Sequence, residues 1–241
     1  SLNYSLTITS QTFSASEWNL EAAVPSSVEA ATYSLSVSFV ADGSRRVYRQ
    51  EKSVWILMEW PSTLNIGQLS DTHFLQNPEM TVSGIVYSQL LGADLIVVTG
   101  DITDGGAVEQ ARGARELFSS APSVPTIVIP GNHDRGTTAY DDYIGKRSFS
   151  LNLGRFVIIG ANTGTDGILD DASLGQLQKQ LDQARGKVIL LLIHHPLFRV
   201  EGELSGSSAA LQTGQLYQSW ANRPDLARRL LSLVEEYNIA A

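Results

Sequence analysis

Histidines, aspartates and one asparagine gather in four short stretches of this chain, each just after a strongly apolar run. The first is Ser70-Asp71-Thr72-His73. Residues i and i+2 of an extended segment point the same way, so Asp71 and His73 can offer one cation an oxygen and an imidazole nitrogen. A surface Asp beside a capping His is the plain alternative. The second stretch is Gly100-Asp101-Ile102-Thr103-Asp104-Gly105. Gly100 permits a sharp turn that leaves Asp101 at a strand end, where its two carboxylate oxygens can bridge two metals. Capping of the next helix competes with that reading, evenly for Asp104 and less well for Asp101. The third is Pro130-Gly131-Asn132-His133-Asp134. A Gly-Asn turn explains its start but not His133 and Asp134, and the Asn132 amide oxygen is an adequate hard ligand. The fourth is Ile193-His194-His195-Pro196. One buried, hydrogen-bonded His is ordinary; two in a row after six apolar residues, beside three other such stretches, point to function. All four histidines of the chain are used in these stretches.

The elements that must hold them follow from periodicity. Short apolar runs at 64–69, 95–98, 126–129 and 188–193 read as strands, and 148–153 with 155–159 as a strand pair turning at Gly154. Helical patterns fall at 82–91, 108–118, 174–184 and 215–237, with Pro224 a break or a helix start. Strands alternating with helices predict an α/β layered fold. In open α/β sheets ligands bind beyond the carboxyl ends of strands, where all four histidines fall. Residues 1–61 differ, being rich in Ser, Thr, Val and aromatics, with period-2 alternation at 4–9 and 33–40. Ala41-Asp42-Gly43-Ser44 is a turn signal, and 53–59 reads as another strand. This predicts a small all-β, sandwich-like N-terminal module. It falls short of the about 100 residues of a full sandwich, so it is incomplete or packs on the domain at 62–241.

Taken in order, Asp-x-His, Gly-Asp-x-x-Asp, Gly-Asn-His-Asp and His-His-Pro resemble the calcineurin-like metallophosphoesterase superfamily over about residues 64–241. The resemblance implies a four-layer αββα fold, two sheets flanked by helices, with a dinuclear site at strand ends. It implies that Asp71 and His73 bind one metal, that Asp101 bridges both, and that Asn132 and His194 bind the second. His133 would contact phosphate and protonate the leaving oxygen, Asp104 would pair with His133, and Asp134 would support the ligands from behind. His195 fits the pattern without being a ligand and is a substrate-binding candidate. The physics agrees: two cations about 3.5–4 Å apart clamp the attacking and leaving oxygens and acidify a bound water, giving a hydroxide nucleophile. Hard oxygens with imidazole favour Mn, Fe or Zn. Purple acid phosphatases place a Tyr where Asp104 stands, which argues against that branch. The family also ends with a Gly-His-x-His motif, and no His follows His195. A chain that starts at Ser1 and stops short of that motif reads as trimmed, and this form is expected to be impaired.

Composition narrows the partners. The chain has 17 basic and 25 acidic residues, a net charge of -8, and no Lys/Arg run longer than a pair such as Arg45-Arg46 or Arg228-Arg229. A nuclease or other nucleic-acid partner is not expected. The absence of Cys rules out disulfides, thiolate metal sites and a Cys nucleophile. No apolar run is long enough for a membrane span. A small phosphate ester is the expected substrate, monoester or diester. Arg135, Tyr140 and residues 162–166 would shape its pocket, Arg135 either gripping a phosphate oxygen or lying on the surface. Residues 199–211, rich in Gly and Ser, read as a mobile lid or a linker. The Ser- and Thr-rich module ahead of such a domain leans toward an extracytoplasmic location. A non-catalytic binding protein with a relic domain is the competing reading.

Overall fold

The computed structural model describes residues 3–14, 17–74, 76–199 and 216–239. Its chain divides into two compact units, Ser1–Glu59 and Trp60–Ala241.

The N-terminal unit is two antiparallel hairpins in separate two-stranded sheets. Strands β1 (Thr7–Ser14) and β2 (Glu17–Ala23) form one, β3 (Ala31–Ala41) and β4 (Ser44–Ile56) the other. Asp42 and Gly43, with φ of 51° and 73°, make the two-residue turn that suits the twist of β3 and β4. The expected separate strand at 53–59 is instead the far end of β4, past an irregularity at Lys52 (φ 47°). A sandwich with its own core is not what forms. None of the described residues 3–58 is buried, and Phe13, Trp18, Val40 and Val47 stand at least 60% exposed.

The second unit is α/β in four layers. Strands β5 (Ile66–Leu69), β6 (Leu95–Thr99) and β7 (Thr126–Ile129) form a parallel sheet in the order β5-β6-β7. Strands β8 (Phe149–Leu153), β9 (Phe156–Gly160) and β10 (Val188–Leu192) form a second, with β10 parallel and β8 antiparallel to β9. Alternate side chains along each strand show the layering. On β6, Leu95 and Val97 meet Ile158 of β9 and Leu190 and Leu192 of β10, so the two sheets face each other. Ile96 and Val98 turn the other way, onto Ile85 of α1 (Pro78–Leu90) and Ala114 of α2 (Val108–Ser120). Val157 and Ile159 of β9 likewise face Leu174, Leu177 and Leu181 of α3 (Asp171–Gln183). Trp220 of the short α4 (Gln218–Ala221) and Leu226 and Leu230 of α5 (Pro224–Glu236) complete that layer. These strands are apolar on both faces because both faces are covered.

Local chemistry sets the helix ends. Pro78 and Pro224 open α1 and α5, where a missing N–H costs nothing. Pro224 therefore splits the expected 215–237 helix into α4 and α5. Asp170 caps α3 by accepting from the Ser173 amide at 2.8 Å. A π-helical turn at Tyr140–Ile144 has no periodic signature. Among the described residues no helix is long and apolar enough to cross a membrane. Residues 200–211 of the expected lid or linker lie outside the described residues.

Candidate metal centre

Parallel strands start and stop together, so the loops after β5, β6 and β7 emerge side by side. Asp71 donates its amide to the Gly100 carbonyl (3.0 Å), and His73 donates its amide to the Asp101 carbonyl (2.9 Å). The second sheet delivers His194 two residues beyond β10, and its Nδ1 meets the Thr99 carbonyl at 2.7 Å. Four sequence stretches thereby converge on one carboxylate, that of Asp101, which is 3% exposed.

Glycines make the convergence possible. A Cβ on Gly131 would lie 2.1 Å from Asp101 Oδ1, and one on Gly100, itself at φ +99°, would lie 2.5 Å from His194 Nδ1. Asp71, His73 and Asp101 adopt φ of 51°, 37° and 51°. Side-chain-bearing residues avoid this left-handed region, and it recurs at functional sites where the surroundings over-determine the backbone. Here Asp134 is the main constraint. It is 1% exposed, and its carboxylate accepts from the amides of Ile102 (3.1 Å), Thr103 (2.8 Å) and Gly131 (2.9 Å) and from the Thr103 hydroxyl (2.8 Å). One buried carboxylate thus clips the loop after β6 to the loop after β7.

The two oxygens of Asp101 face different partners. Oδ1 accepts from the His133 amide at 2.9 Å and lies 3.5 Å from His194 Nε2. Oδ2 lies 3.8 Å from His73 Nε2 and 3.9 Å from His133 Nε2. Donors bound to one cation at about 2.1 Å stand no more than about 4.2 Å apart, so these separations suit a shared ion. Asp71, Asp101 and His194 each offer a ligand atom, all within 4.8 Å of one another. Tautomers suit one too. His73 Nδ1 faces the Asp104 carboxylate at 2.9 Å, His133 Nδ1 the Asp104 carbonyl at 2.8 Å, and His194 Nδ1 the Thr99 carbonyl. A carboxylate or carbonyl only accepts, so each Nδ1 carries a proton, and in the neutral imidazole each Nε2 is left as the lone pair. The donor set fits a divalent cation.

Burial pushes the Asp101 carboxyl up, but the contact with His194 and the His133 amide more than offset it, leaving the group below its ordinary range. Burial pushes His194 down, and Asp101 with the Thr99 carbonyl outweighs that, leaving the imidazole above its ordinary value. Without metal the two act as an ion pair across the site.

Other expected residues fall differently. Asn132 is half-buried on the loop between Gly131 and His133. The Asp104 carboxylate does not pair with His133. It accepts from His73 and from Gln76 Nε2 (2.5 Å), and only its main-chain carbonyl reaches His133. The reason is local: the His73 ring reaches the carboxylate first, while the turn after β6 aims the carbonyl at His133. His195 is half-buried and engaged beside the centre, its Nδ1 2.8 Å from the Thr163 hydroxyl and its ring stacked edge-on to His194. Burial, reinforced by His194, holds its pKa down. Arg135 is exposed, with its carbonyl packed on Gly106. Tyr140 is a core residue whose phenol donates to the Val128 carbonyl at 3.2 Å, and burial pushes its pKa well up. Gln76, Gln110, Thr99 and Thr163 support the centre without belonging to any motif.

With that geometry in place, comparisons with known proteins are informative. The family model for calcineurin-like phosphoesterases matches residues 64–230. A probable glycerophosphodiester phosphodiesterase of Arcobacter nitrofigilis is 32% identical over 159 residues, 56% of this chain and 58% of that one. A 3',5'-cyclic-nucleotide phosphodiesterase of Nostoc is 24% identical over 175 residues, 64% of this chain and 65% of that one. The chain thus spans about half to two thirds of the length of the curated relatives it matches. The fold is like that of a purple acid phosphatase from yellow lupin seeds, with a TM-score of 0.50 at 16% identity, covering 82% of this chain and 40% of that one.

Proposed function

The chain belongs to the calcineurin-like phosphoesterase family, and from that premise we propose that it hydrolyses a phosphodiester at a two-cation site centred on Asp101. The observation that carries this is the division of Asp101, one oxygen toward His194 and the other toward His73. Asp71 and His73 would hold one cation, Asn132 and His194 the other, with Asp101 between them. Mn, Fe or Zn suits the oxygen and imidazole donors. When bound, such ions neutralise phosphate charge and acidify a water for attack. The names of the relatives, a glycerophosphodiester and a cyclic-nucleotide phosphodiesterase, favour a diester over a monoester.

The chain's own residues do the rest. His133 is partly exposed, its Nδ1–H anchored on the Asp104 carbonyl and its Nε2 turned to the same space as Asp101 Oδ2. Protonated, it would hydrogen-bond the ester oxygen and give its Nε2 proton to the departing alkoxide. Such general acids contribute about 10²–10⁴-fold. Asp134 would keep the two loops in register during turnover.

The experiment is hydrolysis of bis(p-nitrophenyl) phosphate, p-nitrophenyl phosphate and an alkyl diester with added manganese, by the wild type and His133→Ala. The diesters should turn over faster than the monoester, and a chelator should stop both. A nitrophenolate leaves without much proton help, so the His133→Ala defect should grow on the alkyl ester. Equal defects on both leaving groups would remove His133 as the donor. Turnover indifferent to chelation would remove the cation reading altogether.

A further inference from the structure

We propose that Asp104 is a positioning residue that works through two groups at once: its carboxylate sets the tautomer of His73, and its main-chain carbonyl sets that of His133. The use of this device rests on the cation reading above; its geometry does not. A neutral imidazole carries one proton, and the nitrogen that donates leaves the other as a lone pair. His73 Nδ1 lies 2.9 Å from Asp104 Oδ1, so Nδ1 donates and the bare Nε2 is the atom 3.8 Å from Asp101 Oδ2. His133 Nδ1 lies 2.8 Å from the Asp104 carbonyl, so it also donates. The rings of His73 and His133 meet edge to face at 5.0 Å, both steered by the one residue.

Two glutamines outside every motif hold Asp104 in place. Gln76 Nε2 donates to the same carboxylate oxygen at 2.5 Å. Gln110 Oε1 accepts from the amides of Asp104 (3.2 Å) and Gly105 (3.3 Å), fixing the turn that aims the carbonyl. The negative charge on the carboxylate also makes His73 Nε2 a stronger donor to a cation. A side-chain substitution at 104 removes one function and spares the other, because the carbonyl survives any side chain.

The test reads side-chain nitrogens in the metal-free protein by ¹⁵N NMR, at a pH where the imidazoles are neutral. In the wild type both His73 and His133 should carry the proton on Nδ1. In Asp104→Ala, His73 should move toward the Nε2–H form while His133 keeps its tautomer. Asp104→Asn, which retains an acceptor oxygen, should keep His73 as it was. Calorimetric titration with Mn²⁺ should then show about 10–100-fold weaker binding in Asp104→Ala and a smaller loss in Asp104→Asn. A His73 tautomer unmoved by Asp104→Ala would overturn the proposal. So would a joint shift of His73 and His133, which would mean that the loop had simply been disturbed. Tautomers behaving as stated in a wild type that binds no Mn²⁺ would sink the cation reading and leave the Asp104 assignment standing.

Discussion

Strands β3 and β4 of the N-terminal unit run 11 and 13 residues, whereas the six strands of the second unit run four or five. The long strands bury none of their residues, while all five residues of β6 are buried. Length multiplies backbone hydrogen bonds, but each nets only about 1 kcal/mol after exchange with water. The ordering of each backbone residue costs about 1–2 kcal/mol, so isolated two-stranded ribbons are marginal. Apolar burial, at about 25 cal/mol per Å², is what fixes an element in place. The side chains able to hold a cation grow from the ends of the short, buried strands. A site must be held to about 0.5 Å, and only that region has the means to hold it.

If this contrast is right, the largest effect comes from cutting the clip between the two buried loops. Asp134→Ala leaves three buried amides and one hydroxyl without their acceptor. The expected loss is about 3–5 kcal/mol in urea unfolding, read by circular dichroism of the helices, all of which among the described residues belong to the second unit. A loss below about 1 kcal/mol would mean that the loops are held by something else.

Asp101→Asn separates the site from its scaffold. The Asn oxygen still accepts from the His133 amide, and His194 can release its proton once its partner is gone, so the unfolding free energy should fall by about 1–2 kcal/mol, less than for Asp134→Ala. Manganese affinity, in contrast, should fall by more than the about 10–100-fold typical of residues that only orient ligands. Loss of stability without loss of affinity would reverse the assignment of Asp101 from ligand to structural residue.

How much of this was legible in the sequence depends on what buries what. Leu95–Thr99, Thr126–Ile129 and Val188–Leu192 are readable as strands because two covered faces leave an unbroken apolar run. The bare hairpins are harder. Glu17–Ala23 alternates Trp18 and Leu20 with polar residues, yet no core accompanies the alternation, and the strand escapes a reading based on burial. At the site, Asp71, His73, Asp101, His133 and His194 announce themselves by type and by position after strands. The acceptors that choose their tautomers do not. The Thr99 and Asp104 carbonyls are main-chain groups that any residue would supply, and Gln76 reaches Asp104 only through the folded turn.

The pH dependence near neutrality should also come from the second unit, where all four histidines lie. His194 is raised when folded, so its contribution is fully present below its unfolded value of about 6.5 and is lost as pH rises through the higher folded value. Asp101 is lowered, so its contribution is present above about 3.9 and is lost as pH falls through the lower folded value. The metal-free protein should therefore lose stability on the alkaline side of about pH 6.5 and again in acid. Manganese displaces the proton on His194, so its binding should tighten over the same alkaline window. The lowered His195 works the other way below about pH 6.5, where its stability contribution rises with pH, so the His194 sign is read above that value. Thermal melts with and without Mn²⁺ between about pH 6.5 and 9 check it, and a metal-free melt that rises through that window contradicts the Asp101–His194 pairing.

The smallest effect is the one that most directly isolates the first unit. Phe13 and Trp18 face each other across β1 and β2, ring centroids 5.2 Å apart, and both stay mostly exposed. Such a cross-strand aromatic pair is worth about 0.5–1 kcal/mol to its own ribbon. Phe13→Ala should therefore increase amide exchange along Thr7–Ser14 and Glu17–Ala23 severalfold. It should leave the unfolding midpoint of the helical second unit, read by circular dichroism, and the Mn²⁺ affinity where they were. A shift in either would show that the hairpin is coupled to the buried scaffold. The contrast between an exposed ribbon and a self-sufficient core would then have to give way to a single cooperative unit.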